Sequence, residues 1–124
     1  MIKLVFCVKK KPDITVNEFR KRWQDHQIFT RSIAKAMHAR RITHSLTLVI
    51  KENEELQLTR GTAEPFDALM EIWWEDSAPI KAGLRDKQIH EMILRMRADQ
   101  NNLVDRSRSM IFFASEDQVE EFGT

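Results

Sequence analysis

Apolar positions along the chain follow two periods, one typical of strands and one typical of helices. Four short segments rich in β-branched and aromatic residues predict strands, namely residues 2–8, 41–50, 67–75 and 109–115. Alternation in the second segment places Ile42, His44 and Leu46 on one face. Alternation in the third segment separates two sets of residues, Leu69, Glu71 and Trp73 on one face and Ala68, Met70, Ile72 and Trp74 on the other.

A long helix is predicted to begin after Thr15. The residues from Thr15 to Glu18 have the form of a capping box, and Ile14 and Phe19 are spaced for a hydrophobic staple. Seven residues then fall within an arc of about 100° on a helical projection. They are Val16, Phe19, Trp23, His26, Thr30, Ile33 and Met37. This stripe predicts a helix of about 22 residues with one buried face.

A second helical region is predicted after the third strand. Asp76 and Ser77 can cap it, and Pro79 suits its first turn. Ile80 and Leu84 give this helix a short apolar side. A second segment follows it, with apolar residues at helical spacing, namely Ile89, Met92, Ile93, Met96 and Leu103. Residues 99–102 are predicted to fray into a turn.

Residues 51–65 are predicted to form a connection. The segment is charged and contains a glycine and a proline, and the ends of the adjoining strands extend into it at Leu56 and Leu58. A connection of this length is a candidate lid or rim of a site.

The predicted order of elements is β-α-β-β-α-β, which is typical of the α+β class and of the ferredoxin-like fold. In that fold both helices cover one face of a four-stranded antiparallel sheet. The first, third and fourth strands have few polar residues on either face. Because a wet apolar sheet face of this size usually marks an association surface, the sequence predicts a homodimer that packs sheet to sheet.

Length, charge and cysteine content limit the functional classes. A chain of 124 residues predicts one domain over residues 1–124, with residues 116–124 as an acidic C-terminal tail. The net charge of +1 argues against a nucleic-acid partner, and the first and third strands lack the glycines of RNA-binding modules with this topology. No apolar run reaches the length of a membrane span. The single cysteine, Cys7, predicts a reducing, cytoplasmic setting.

Three segments together resemble the EthD family of the dimeric α/β-barrel superfamily. They are IKLVFCVKKKPDITVNEFRKRW followed by QDH, FDALMEIWWED, and ADQNNLVDRSRSMIFFASED. The resemblance implies a ferredoxin-like domain that dimerises as an α/β barrel and acts on a small molecule. The chain departs from the family pattern, in which Trp and His stand four apart with a proline two residues after the His. Here Trp23 and His26 are three apart and Ile28 stands in place of the proline. Either the chain is a variant in which His26 still lies on the buried face, or the site is lost and Gln27 stands at the usual position of the His.

His26, His44 and Glu71 are the candidate catalytic residues. An imidazole exchanges protons near neutral pH, and His26 on the apolar stripe would face the space between helix and sheet. A core histidine bonded to a backbone carbonyl is the alternative. If Ile50 pairs with Asp67, His44 lies opposite Trp73 and diagonal to Glu71, within reach of a hydrogen bond that would orient the imidazole. A polar pair buried in the sheet or at a dimer face is the alternative for these two residues.

The candidate substrate contacts are Phe19, Trp23, Trp73 and Asp67, since aromatic side chains can line a flat cavity for a planar molecule. Ordinary core packing also explains the aromatic residues. The histidines show no paired ligand spacing, so we expect neither a metal nor a cofactor. The resemblance to the EthD family implies the leading hypothesis, a cofactor-independent enzyme of that type acting by proton transfer on a hydrophobic carbonyl or phenol compound. The reaction would be isomerisation, cyclisation, dehydration or anthrone-type oxidation. A non-catalytic small-ligand binder or accessory protein is the alternative.

Overall fold

The computed structural model of the chain describes residues 1–123. Its strands are β1 (Ile2–Val8), β2 (Arg41–Leu46), β3 (Ala68–Trp74) and β4 (Met110–Ser115). Its helices are α1 (Val16–Ala36), α2 (Lys51–Arg60), α3 (Ala78–Arg85) and α4 (Lys87–Gln100), and a 3₁₀ turn covers Arg106–Arg108. The strands form one antiparallel sheet in the order β2-β3-β1-β4, which confirms the predicted ferredoxin-like arrangement. None of the helices between residues 1 and 123 is both long enough and apolar enough to cross a bilayer.

The start of α1 and its buried stripe follow the sequence prediction. The Thr15 hydroxyl oxygen accepts a hydrogen bond from the Glu18 backbone N–H at 3.1 Å. Six of the seven predicted stripe residues are buried, namely Phe19, Trp23, His26, Thr30, Ile33 and Met37. Val16 is the exception at 39% exposure, because the first turn of α1 borders a surface groove along residues 47–50 instead of the sheet.

The core lies between one face of the sheet and helices α1, α3 and α4. The four residues of β3 that the sequence predicted to share a face are buried here, namely Ala68, Met70, Ile72 and Trp74. They pack with Phe6 and Val8 of β1 and with the stripe of α1. The Trp74 indole N–H donates to the Met37 carbonyl at 3.1 Å, which fixes β3 against the end of α1.

The prediction that residues 51–65 form an irregular connection was wrong for the first two thirds of this segment, because Lys51–Arg60 forms helix α2. This segment is rich in strong helix formers, and Lys51 and Glu55 lie 4.0 Å apart one turn from each other. Gly61 ends the helix in the left-handed region at φ 65°. The predicted second strand therefore stops at Leu46 instead of residue 50, where the chain turns toward α2.

The second helical region consists of two helices, α3 and α4, in agreement with the predicted short helix and the helical segment after it. The Asp86 carboxylate accepts from the backbone N–H groups of Gln88 and Ile89 at 2.8 and 3.1 Å, so it caps a new helix. This cap separates α3 from α4. Helix α4 continues through Gln100, so Asp99 and Gln100 lie in its last turn instead of in the predicted fraying segment.

Candidate active site

An apolar cavity of about 440 Å³ lies between the helix-covered face of the sheet and helices α1, α3 and α4. Its walls are mostly aliphatic and aromatic side chains, including Leu4, Phe6, Ile72, Trp74 and Phe113. Five residues with polar side chains also line it, namely Thr30, Arg97, Gln100, Arg106 and Ser109. A largely apolar pocket with a few convergent polar groups is the usual form of a small-molecule site.

His26 lies behind the wall of this cavity, between one hydrogen-bond partner that lines the cavity and another that lines the protein surface. Its Nδ1 lies 2.7 Å from Oδ2 of Asp99, and its Nε2 lies 3.4 Å from the amide nitrogen of Gln100. The ring is only 1% exposed and stacks on Trp23 with the ring centroids 5.6 Å apart. Gln100 lines the cavity, whereas Asp99 lines a polar surface depression.

These partners determine how the imidazole of His26 can act. An ionised carboxylate only accepts hydrogen bonds, so Nδ1 of His26 donates to Asp99 and Nε2 carries the lone pair. That lone pair accepts from the Gln100 amide at 3.4 Å, which is longer than an ordinary N–H···N contact. The nitrogen able to take up a proton therefore lies toward the cavity, and the carboxylate that stabilises the resulting positive charge lies on the other side.

His44 lies on the helix-covered face of the sheet, opposite Met70. It contacts the cavity wall through Thr30. Its Nε2 lies 2.8 Å from the Thr30 hydroxyl, which in turn donates to the Gln27 carbonyl at 3.1 Å. The hydroxyl has one hydrogen, so Nε2 of His44 is the donor in the first of these bonds. Burial, with smaller contributions from Arg31 and His26, lowers the pKa of His44 to about 4. The ring is therefore neutral at neutral pH.

We expect His44 to make the folded protein less stable in acid. An ordinary histidine takes up a proton at pH 6.5, but folded His44 does so only at about 4. Between these values the unfolded chain binds more protons, so the free energy of unfolding falls as the pH falls. With allowance for the partial exposure of His44, we expect a loss of about 1 to 2 kcal/mol.

The measurement is the thermal midpoint of the wild type and of His44→Gln at about pH 7.5 and about pH 4.5. Glutamine keeps a donor for Thr30 and does not titrate. The wild type should lose more stability in acid than the variant, and equal losses would contradict the lowered pKa.

The predicted pairing of His44 with Glu71 was wrong. His44 lies opposite Met70 and Thr43 lies opposite Glu71, so the two candidates point to opposite faces of the sheet. The Glu71 carboxylate accepts from the Lys3 ammonium at 2.9 Å on the face away from the helices. The physical reason is a slip in register, because an odd slip moves every side chain to the other face.

The structure also separates the four predicted substrate contacts. Phe19 and Trp23 stack in the core with centroids 5.8 Å apart, and neither lines the 440 Å³ cavity. Trp73 lies on the open face of the sheet, with the Arg41 guanidinium 4.7 Å from its ring centroid. The Asp67 carboxylate accepts from the Lys10 backbone N–H at 2.8 Å, so its observed contact joins two loops.

Trp23 nevertheless has an unusual polar environment. Within the described part of the chain, its buried indole N–H has no hydrogen-bond partner. The ring packs against both histidines, stacked on His26 at 5.6 Å and edge-on to His44 at 6.2 Å between ring centroids. A buried donor without a partner costs about 1 to 3 kcal/mol, so a bound oxygen atom next to it would be stabilised.

The sequence prediction missed Asp99, Gln100, Arg97 and Arg106. One signal was present for Gln100, because a polar residue four positions after Met96 continues the apolar stripe of α4. Asp99 had no comparable signal, since its partner His26 is 73 residues away in the chain.

A metal site has no candidate in the described residues. Between residues 1 and 123, no three His, Cys, Asp or Glu side chains are grouped so that they could hold an ion. The absence of a metal and of a cofactor in the native protein stays a prediction.

Comparison with known proteins identifies the family. The EthD domain profile matches residues 11–107, which is well over half of the chain. The chain belongs to the EthD family. No curated protein matches this EthD domain significantly.

Two solved structures share the fold of this EthD domain at low sequence identity. A dimeric protein of unknown function and ferredoxin-like fold from Bacteroides fragilis is 10% identical with a TM-score of 0.62, covering 93% of this chain and 95% of its own. SnoaB, a cofactor-independent oxygenase from Streptomyces nogalater, is 14% identical with a TM-score of 0.53, covering 95% of this chain and 94% of its own. Both similarities establish the ferredoxin-like fold.

Proposed function

We propose that this EthD domain is a cofactor-independent enzyme that removes a proton from a hydrophobic carbonyl or phenol compound bound in the apolar cavity. The observation that carries the proposal is the series Asp99, His26 and Gln100, which places a carboxylate-oriented imidazole next to the cavity wall. A buried imidazole held by a carboxylate is an effective general base. The similarity to a cofactor-independent oxygenase is consistent with this chemistry.

In the proposed reaction, Nε2 of His26 is the atom that accepts the proton. Gln100 now occupies the position next to that nitrogen, and its contact of 3.4 Å is weak enough to be exchanged for a substrate C–H or O–H group. The C–H or O–H electron pair remains on the substrate as an enolate or phenolate. Asp99 stabilises the imidazolium that forms.

The proposal is tested by hydrogen–deuterium exchange, because proton removal is the step shared by the candidate reactions. The wild-type protein is incubated with 1-tetralone in D₂O, and loss of the α-proton signals is followed by NMR. We expect saturable exchange above the buffer rate. The Asp99→Asn variant should exchange about 10- to 100-fold more slowly, since the neutral amide does not stabilise an imidazolium as the carboxylate does.

Asp25→Asn is the matched control, because Asp25 lines the same surface depression as Asp99 but has no bond to His26. It should exchange at the wild-type rate. Exchange that is equally fast in Asp99→Asn and in the wild type would contradict a base oriented by this carboxylate.

A non-catalytic small-ligand binder is the second candidate function. Neither His26 nor His44 lines the cavity, because Gln100 and Thr30 lie between the two rings and the cavity space. A protein that binds 1-tetralone and does not exchange its α-protons would favour this candidate.

We also propose that the protein is a homodimer in which two open sheet faces meet. On β4, Phe112 is 45% exposed and lies opposite Val5, on the face away from the helices. Exposed apolar side chains that continue the half-buried surface of β1 and β3 are typical of an association surface. The similar protein from Bacteroides fragilis is dimeric.

Sedimentation equilibrium should therefore give about twice the chain mass of 14.7 kDa. Phe112→Glu should shift the protein to a monomer, because a carboxylate would be buried without a partner at the interface. Leu94→Glu is the control, since Leu94 is 49% exposed on α4 in the other layer. A wild type that sediments as a monomer at micromolar concentration would contradict the dimer.

A further inference from the structure

The charged residues of the cavity have a single sign. Arg97 and Arg106 line it, and none of its lining residues is an aspartate or a glutamate. Arg97 lies in the last turn of α4 and Arg106 in the 3₁₀ turn that follows, so both reach the cavity from the same end of this helix. A cavity that is apolar along its walls and cationic at one end favours a ligand with an apolar body and a negative group, and it orients that group toward the cationic end.

Arg97 reaches the cavity from the same side of α4 as its apolar lining residues. Ile93, Met96 and Gln100 line the cavity with it, at the spacing of one helix face. A long charged side chain on this face places its apolar stem along the wall and its guanidinium at the solvent end.

Arg106 approaches from the 3₁₀ turn that follows α4. Its Nη1 donates to the side-chain oxygen of Asn101 at 3.2 Å, a neutral acceptor that orients the guanidinium without cancelling its charge. The neighbouring Arg108 differs, because its Nη1 lies 4.0 Å from the Asp105 carboxylate. The ion pairs formed within residues 1–123 include neither Arg97 nor Arg106.

We propose that the cavity binds a hydrophobic carboxylic acid, with its apolar body between sheet and helices and its carboxylate at Arg97 and Arg106. The inference deepens the proposed function and rests on the cavity as its substrate site. The planar guanidinium fork matches the two oxygens of a carboxylate, and a neutral ligand of the same shape gains nothing from these charges. The carbonyl or phenol group to be deprotonated would then lie on the body of the molecule, toward Gln100 and His26.

Calorimetric titration of 2-naphthoate and of 2-naphthylmethanol, a neutral molecule of similar shape, tests this inference. The wild type should bind the carboxylate about 10-fold or more tightly than the alcohol. Arg97→Gln and Arg106→Gln should each weaken the binding of 2-naphthoate about 3- to 10-fold and leave the binding of the alcohol unchanged. The expected loss is of this modest size because both arginines are exposed. At about 0.5 M salt the preference of the wild type should shrink, since exposed charges are screened.

Arg95→Gln is the matched control, because Arg95 is an exposed residue of the same helix that does not line the cavity. It should bind both ligands as the wild type does. Equal affinity of the wild type for the two ligands would overturn the inference, and so would failure to bind either one. The variant that carries both Arg97→Gln and Arg106→Gln gives a further test. If it still prefers the carboxylate, the inference is overturned, since the two arginines would then only stabilise the negative C-terminal end of the α4 dipole.

The outcome can be separated from that of the proposed function. An arginine-dependent preference for 2-naphthoate without any α-proton exchange in 1-tetralone would uphold the ligand class and reject the enzyme. Exchange that depends on His26, together with equal binding of acid and alcohol, would uphold the enzyme and reject the ligand class.

Discussion

In the His26→Ala variant, α-proton exchange in 1-tetralone is expected to fall about 10²- to 10⁴-fold, the usual contribution of a general base. The fold should survive. Removal of the ring leaves a void next to Trp23 and takes a partner from the Gln100 amide, which should cost about 1 to 3 kcal/mol of unfolding free energy. The Asp99 side chain is 42% exposed, so water can solvate its carboxylate in the variant.

The control for this variant is His90→Ala, which removes an exposed imidazole from α4. It should keep the wild-type exchange rate and thermal midpoint. Added imidazole should restore part of the exchange in His26→Ala, because the void matches the lost ring, and this rescue separates loss of the base from loss of the fold. Lower stability with unchanged exchange would make a catalytic role of His26 untenable and would transfer the role to His44.

The sequence predicted well those features that depend on neighbours in the chain. The cap at Thr15 and the spacing from Phe19 to Met37 determine which way each side chain of α1 points, so the buried position of His26 could be predicted. The strict alternation of β3 had the same effect for Trp73 and Trp74. Local hydrogen bonds and local periodicity suffice for these assignments.

Register across the sheet could not be predicted in the same way. The predicted partner of His44 was Trp73, whereas the observed partner is Met70, which is a slip of three residues. The register of β2 against β3 depends on the path of the connection between them, and that connection contains the unpredicted helix α2. An odd slip exchanges the two faces, which is why Glu71 and His44 do not meet.

The contacts that define the candidate site are the least accessible to sequence reasoning. His26 meets Asp99 and Gln100 only because α1 and α4 pack side by side on the sheet. Nothing local to α4 distinguishes Asp99 from other solvated carboxylates. A helix-to-helix contact of this kind requires the relative rotation of two elements, and neither hydrophobic stripe specifies that rotation to within one residue.

The neighbours Trp73 and Trp74 offer the sharpest test of the two sheet faces, because they differ in environment and not in residue type. Trp74 is 2% exposed, lines the cavity and donates to the Met37 carbonyl. Trp74→Ala should therefore lower the free energy of unfolding by about 3 to 5 kcal/mol, a large part of the total for an ordinary domain. Trp73 lies on the open face, with the charged groups of Lys3 and Arg41 at 5.5 and 4.7 Å from its ring centroid.

Urea unfolding in the Phe112→Glu background keeps the comparison within one chain. There Trp73→Ala should cost about 1 to 2 kcal/mol, since it loses two cation–π contacts and part of a half-buried surface. In the otherwise wild-type protein, Trp73→Ala should also weaken the dimer, because the open face is the proposed interface, and sedimentation should show dissociation at a higher protein concentration. Trp74→Ala should not weaken the dimer beyond its effect on folding.

Equal losses of unfolding free energy for the two variants in the Phe112→Glu background would contradict the assignment of the faces. A Trp73→Ala protein that dimerises as tightly as the wild type would place the interface elsewhere.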